Sequence, residues 1–446
     1  MTKKFLALVL SGILLVSAFT GCGKSGTAED SSNTAAQNST AAGSSQAAAS
    51  TEAVELSFMQ NSANGGQEET LKAMIDDFTS KNPNIKVKYE VVAYKDYYTK
   101  LNTLLSAGKD APDVFEVGYE NFAQYAAKGM LKDLTDVAAN EITANDMKQL
   151  AYDAYKYNGR QMGMATDYTG CILFYNKDLF DSKGLAYPTS AWTWKEELEA
   201  AQKLTDAGKG IWGTVAPLQV YEFYKTIAQN GGSFWSADGK TSTINSKAGV
   251  DALQWMLDKS NKYKVQPAFT SDIYTQADAD LKAFKEGKIA MFRTGTWQFG
   301  NFEKDCSFKW DIVVEPGNTA KGHNFFSNGL VVNKDAENVE AAWAFVKYMA
   351  IDTFVANQRI EKGWNVPVIN NDEVMSAYYK KTPPESKKAV AELLDSLVLP
   401  PLGAVPEKWS EIQQIVNDEL DKAKYGKATA QEALDSAKTK LDALVK

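Results

Sequence analysis

Residues 54–93, VELSFMQNSANGGQEETLKAMIDDFTSKNPNIKVKYEVVA, change hydrophobic period twice. Residues 56–59 read as a short strand and 60–66 as a polar, Gly-containing loop. Leu71, Met74, Ile75 and Phe78 then recur at helical spacing until Asn82-Pro83 stops the helix, after which Ile85, Val87 and Tyr89 alternate as a strand. Further on, 97–107 reads as a helix, 114–117 as a short buried strand and 121–128 as a helix. Strand, helix, strand, helix, strand predicts a parallel sheet covered on both faces.

The pattern continues with strands at 171–175, 289–292, 312–314 and 330–332 and helices at 194–204, 221–229, 250–258, 277–287 and 340–350. Gly231-Gly232 and Asp238-Gly239 mark turns around a short hairpin, and helices at 387–397, 407–424 and 430–445 close the chain. No period of 20 to 50 residues repeats, which disfavours a solenoid or propeller. At 446 residues the chain is long enough for two or three domains or a two-lobed body.

Composition removes several function classes. Lys+Arg 48 against Asp+Glu 56 gives a net charge of −8, which argues against nucleic acid or an anionic membrane surface as the main partner. One histidine, His323, disfavours His-based zinc sites and Ser-His or Cys-His nucleophiles, and it is expected in a loop. Cys22, Cys171 and Cys306 are too few for a disulfide framework and lack metal-ligand spacing. Whether Cys171 and Cys306 pair is left open, with two buried thiols as the default.

The first fifty residues read as an address. Lys3 and Lys4 precede an apolar run at 5–19 that is too short for a spanning helix, and Thr20, Gly21 and Cys22 follow. The segment resembles a bacterial lipoprotein signal, which implies cleavage after residue 21 and lipidation of Cys22; the alternative is an ordinary secretory signal with Cys22 incidental. Residues 23–53 are rich in Ser, Ala, Thr, Gly, Gln and Asn and read as a flexible tether.

Among possible chemistries, the acid pairs Glu116 with Glu120 and Asp278 with Asp280 could be imagined as glycosidase carboxylates, but surface acids explain most such residues and spacing alone does not position a pair. The 50 aromatic residues are more informative. Trp297, in Gly295-Thr296-Trp297, directly follows a buried strand, and ligands of open α/β sheets bind at carboxyl ends. Tyr119, Tyr168 and Trp364 also sit beside apparent strands or Gly turns, where an aromatic face suits the C–H face of a pyranose.

Several segments resemble the extracellular solute-binding proteins of ABC importers, in the large maltose-binding-like class for sugars. They include Ser106 to Gly108 leading to Ala111-Pro112-Asp113-Val114-Phe115, Gly129-Met130-Leu131, Asn158-Gly159-Arg160 and Tyr175-Asn176-Lys177-Asp178-Leu179-Phe180. Trp192-Thr193-Trp194, Gly287-Lys288-Ile289-Ala290-Met291, Gly295-Thr296-Trp297, Glu315-Pro316-Gly317 and Ala342-Trp343-Ala344-Phe345 follow in the family's order.

The resemblance implies a two-lobed α/β periplasmic-binding-protein fold of type II, with parallel-rich sheets flanked by helices and a helical C-terminal segment. The lobes would be 54–167 with 320–372, and 168–319 with 373–446, hinged near 167–170, 318–322 and 370–374. Carried over position by position, the resemblance assigns stacking to Trp297, Tyr221 and Trp409 and polar contacts to Glu120 and Asn121. It also points to Asn61, in the loop after the first strand, and to Asp167 and Tyr168. It implies a lipid-anchored receptor on the outer face of a bacterial cell membrane, monomeric, without catalysis, metal or cofactor. Such a receptor would take a sugar or oligosaccharide and hand it to importer permease subunits, touching the membrane only through its anchor and binding no nucleic acid. The alternatives are a non-sugar solute such as a polyamine in the same fold, or a surface glycoside hydrolase.

Overall fold

The computed structural model describes residues 53–62, 68–143 and 145–446. The expected signal segment, Cys22 and the tether up to residue 52 lie outside the described residues. Among the described residues no helix is long and apolar enough to cross a membrane.

Two sheets organise the body. The first has five strands in the order Ile85–Ala93, Val54–Ser62, Val114–Gly118, Asn328–Val332 and Gly163–Ala165. Its first three strands are parallel, as the sequence alternation requires, and Asn328–Val332 runs antiparallel to both of its neighbours. The first strand pairs along its whole length, from Val54 opposite Ile85 to Ser62 opposite Ala93, so Gln60 and Asn61 end a strand instead of starting a loop. The helix Glu68–Lys81 buries Leu71, Met74, Ile75 and Phe78, the stripe its spacing predicts. Phe345, from the helix Val339–Ile351, meets the rings of Phe58 and Phe78 edge-on at 5.1 Å each.

The second sheet has Cys171–Asn176 at its centre, flanked by Met291–Gly295 and Trp310–Val313, both antiparallel to it. All six residues of the central strand are buried, which is why CILFYN is nearly uninterrupted in apolar character. The segment at 212–215 adds parallel bridges from Trp212 to Ile289 and from Val215 to Phe292. Behind this sheet the helices Trp409–Lys424 and Ala430–Val445 pack on Val220–Gln229 and Lys247–Asn261 around a second apolar core containing Phe223, Leu253, Ile412 and Leu434.

The chain passes between the sheets along adjacent paths. Asp167–Tyr168 pairs antiparallel with Val366–Pro367, and Thr169 bridges Phe326. The second pass falls between Asn324 and Asn328, a few residues beyond the expected turn at 318–322, because His323–Asn324 still pairs with Leu397–Val398 on the second side. That pairing also converts the end of the expected 387–397 helix into strand, leaving Ala389–Leu394 helical. His323 is therefore fully buried, not a loop residue. Its Nε2 accepts from the Glu315 amide at 2.9 Å, which places the proton on Nδ1, 2.9 Å from Ser396 Oγ. Burial, with Lys225 nearby, pushes its pKa down to about 3. Cys171 and Cys306 are both free thiols.

Candidate functional site: a cleft between two sheet edges

Because the central first-sheet strands are parallel and Asn328–Val332 is reversed, the end of Val54–Ser62, the end of Val114–Gly118 and the start of Asn328–Val332 share one edge. Asn61, Glu116 and Asn328 are thereby delivered together, and Asp167 joins them from the first crossing. In the second sheet the antiparallel pairing sets Cys171 opposite Gly295, which puts the start of one strand and the end of the other on a single edge, with Trp297 just beyond. The two edges enclose a cavity of about 590 Å³, within the roughly 300 to 1,000 Å³ typical of small-molecule sites.

The first edge is polar. Glu116 is buried and accepts a hydrogen bond from Asn61 Nδ2. Burial, reinforced by the nearby charge of Asp167, raises its pKa to about 8. Asp167 is also raised by burial, while Arg359 pulls it back; Oδ1 accepts from the Asn328 amide at 3.1 Å. The buried Arg359 guanidinium donates to the Thr166 carbonyl and lies 5.8 Å from the ring centroid of Trp364. Its pKa is lowered by burial, against the pull of Asp167 and Glu116. Glu120, in the first turn of Tyr119–Ala127, folds back over Gly118, where a Cβ would lie 3.1 Å from both carboxylate oxygens. Burial raises its pKa, and its own backbone amide pulls it back.

The second edge is aromatic on top and ionic beneath. Trp297, half-buried in the turn Thr296–Gln298, meets Phe326 edge-on at 5.6 Å. Tyr221 and Trp409 line the same cavity from the starts of their helices. Below them Glu197, Glu222 and Glu315 are buried with Lys225, Lys259 and Arg293, three acids against three bases. Arg293 grips Glu197 through Nη1 at 2.7 Å and Nη2 at 2.5 Å and reaches Glu315 through Nε at 3.2 Å. Lys225 lies 2.7 Å from Glu222 and 2.6 Å from Glu315. Burial alone would raise Glu197, yet the charges of Arg293 and Lys259 hold its pKa at about 2.

Of the residues singled out from sequence, the cavity brings together Trp297, Tyr221, Trp409, Glu120, Asn61, Asp167 and Trp364. It does not include Tyr168, Tyr119 or Asn121. Strand alternation turns Tyr168 away from the side that Asp167 faces and buries it in the core. Tyr119 packs edge-on against Phe325 at 5.0 Å, behind the wall. Asn121 is one helical step past Glu120, with Nδ2 3.4 Å from the Glu120 carboxylate. Sequence reasoning missed Arg359, Arg293, Tyr94, Tyr98 and Gln413, which also line the cavity. Glu116, weighed only as a catalytic acid, lines it too. Among the described residues no group of three or more His, Cys, Asp or Glu is placed to hold a metal ion.

The sequence profile of the family described as bacterial extracellular solute-binding protein matches residues 63–352. An ABC substrate-binding protein from Listeria monocytogenes, solved in complex with cycloalternan, is 40% identical with a TM-score of 0.81, covering 88% of this chain and 99% of that one. The arabinooligosaccharide-binding protein of Bacillus subtilis (strain 168) is 25% identical over 78% of this chain and 76% of its own length. The fold is also that of maltose-bound MalE3 from T. maritima, at 23% identity and a TM-score of 0.73, over 88% of this chain and all of that one (100%). With two lobes around one polar and aromatic cleft, this chain belongs to the bacterial extracellular solute-binding protein family.

Proposed function

We propose that this chain is the capturing component of a carbohydrate ABC importer, binding an oligosaccharide between its lobes and delivering it to permease subunits without chemical change. The observation that carries this reading is the opposition of Trp297 on one sheet edge to Asn61, Glu116, Asp167 and Asn328 on the other. An aromatic face takes the apolar side of a sugar ring, and the opposite polar edge takes its hydroxyls. Trp297, Tyr221, Trp409, Trp364, Glu120, Asn61 and Asp167 are the contacts proposed here. The Listeria relative was solved with cycloalternan, which makes that saccharide the first probe to try.

The lobes would turn about the adjacent chain passes near Tyr168 and Phe326 and about the third hinge expected at 370–374. Ligand contacts from both lobes then favour the closed form, which the permease would read. A lipid on Cys22 would hold the receptor, as a monomer, at the outer face of the membrane.

The test is calorimetric titration against cycloalternan, maltotriose, an arabinooligosaccharide and spermidine, followed by chromatography of the bound sugar after long incubation. Binding of a saccharide recovered intact supports the reading. Binding of spermidine alone contradicts the solute class, and cleaved sugar contradicts the absence of catalysis.

A further inference from the structure

Thr296 opens the turn Thr296–Gln298 that carries Trp297, yet it is fully buried and stands outside the lining of the cleft. Its hydroxyl is hydrogen-bonded to the hydroxyl of Thr169, and its amide donates to the Gly170 carbonyl at 3.4 Å. Both partners belong to the first chain crossing. Thr169 is tied to the second crossing by two backbone bonds: its amide donates to the Phe326 carbonyl at 2.7 Å, and its carbonyl accepts from the Phe326 amide at 2.9 Å. The crossings pack so closely that a Cβ on Gly170 would collide with the Asn324 carbonyl. They form a short ribbon, and the side chain of Thr296 fastens the Trp297 turn to it.

The same ribbon meets both rings at this edge. Phe326 stands edge-on to Trp297 at 5.6 Å and to Tyr221 at 6.3 Å, and Asn324 Nδ2 donates to the Tyr221 carbonyl at 2.5 Å. Trp297 and Tyr221 therefore take their places from the crossings as well as from the second sheet. The bond between the two threonines sets a distance. Hydroxyl oxygens that share a proton approach to about 2.5 to 3.0 Å, whereas carbon atoms stop at about 3.5 to 4.0 Å. The bond thus draws the turn about 1 Å closer to the ribbon than an apolar side chain of the same shape would allow.

Resting on the reading of the cleft as a saccharide site, we infer that Thr296 is a positioning residue. Through Thr169 it fixes the Trp297 ring against Phe326, and so the face the ring offers to the solute, without touching the solute itself.

The test removes the hydroxyl and then restores it. Cycloalternan and maltotriose are titrated into the wild-type protein, Thr296→Val, Thr296→Ser, Trp297→Ala and the double variant of Thr296→Val with Trp297→Ala, with melting curves to confirm folding. Thr296→Val should bind about 3- to 10-fold more weakly than wild type, the scale of one hydrogen bond, and Thr296→Ser should bind as the wild type does. On Trp297→Ala the valine substitution should weaken binding no further, because it acts through the ring. A second readout needs no solute. With fluorotryptophan incorporated and the Trp297 fluorine resonance assigned by Trp297→Phe, that resonance should move in Thr296→Val and stay in place in Thr296→Ser. Thr169→Val removes the same bond from the ribbon side, should move the same resonance, and serves where Thr296→Val does not fold. An unmoved resonance, unchanged affinity in Thr296→Val, an equal loss in Thr296→Ser, or a loss that persists in full on Trp297→Ala overturns the positioning and leaves the reading of the cleft standing. Absence of saccharide binding by the wild type overturns the reading of the cleft, while a resonance that moves only in the valine variants still supports the positioning.

Discussion

The place a Cβ would take on Gly295 lies 2.0 Å from Cζ3 of Trp297. The ring folds back over its own strand end, and only a residue without a side chain leaves it room. Gly295 has φ −83, so the requirement is steric proximity and not backbone conformation. Gly295→Ala should therefore displace the ring and weaken saccharide binding by about 10- to 100-fold, the scale of losing one large apolar face at about 1.5 to 3 kcal/mol. In calorimetric titration, Gly295→Ala combined with Trp297→Ala should be no weaker than Trp297→Ala alone, because both act through one ring.

Arg293 stands two residues before Gly295 and joins Glu197 to Glu315 in the buried network. Arg293→Met leaves those acids without their shared base, and breaking a buried ion pair costs about 3 to 5 kcal/mol. Denaturant unfolding should report a loss of that order. An unchanged midpoint would mean that the network contributes nothing to the lobe.

Glu116 gives the protein a pH signature. Its carboxyl, lifted to about 8 by burial and by Asp167, holds a proton in the folded state across a range where the unfolded chain has released it. Its contribution to stability therefore falls as pH rises from about 4.5 towards 8. Glu116→Gln removes that dependence, so the stability of the variant relative to wild type should grow across the same window. Chemical unfolding at pH 5 and pH 8 checks the sign.

Besides the protonated Glu116, the cleft carries the acids Glu120, Asp167, Asp278 and Asp280 against Arg359, while the guanidinium of Arg293 is engaged by Glu197 and Glu315. Like charges in a partly dry cleft repel. Maltose 1-phosphate should therefore compete at least about tenfold less well than maltose, with the gap narrowing at high salt.

Much of this was legible where chemistry is local. The 3.6-residue stripe of Leu71, Met74, Ile75 and Phe78 fixes one helix, and Trp297 announces itself by following a buried strand and a glycine. What escaped was long-range pairing. Arg359 meets Thr166 from 193 positions away, a relation that no spacing encodes. Tyr168 and Asp167 sit side by side in sequence, and only the pairing of Tyr168 with Val366 decides which of them faces the cleft. His323 looked like a loop residue because its two-residue strand exists only through Leu397–Val398, far along the chain.

The central claim, that Trp297 and the polar edge across from it hold a saccharide, is tested most directly by titrating cycloalternan into wild-type protein and into Trp297→Ala. The account predicts saturable binding in the wild type, weakened by about 10- to 100-fold in the variant with its fold intact. Equal affinity in both proteins would contradict it.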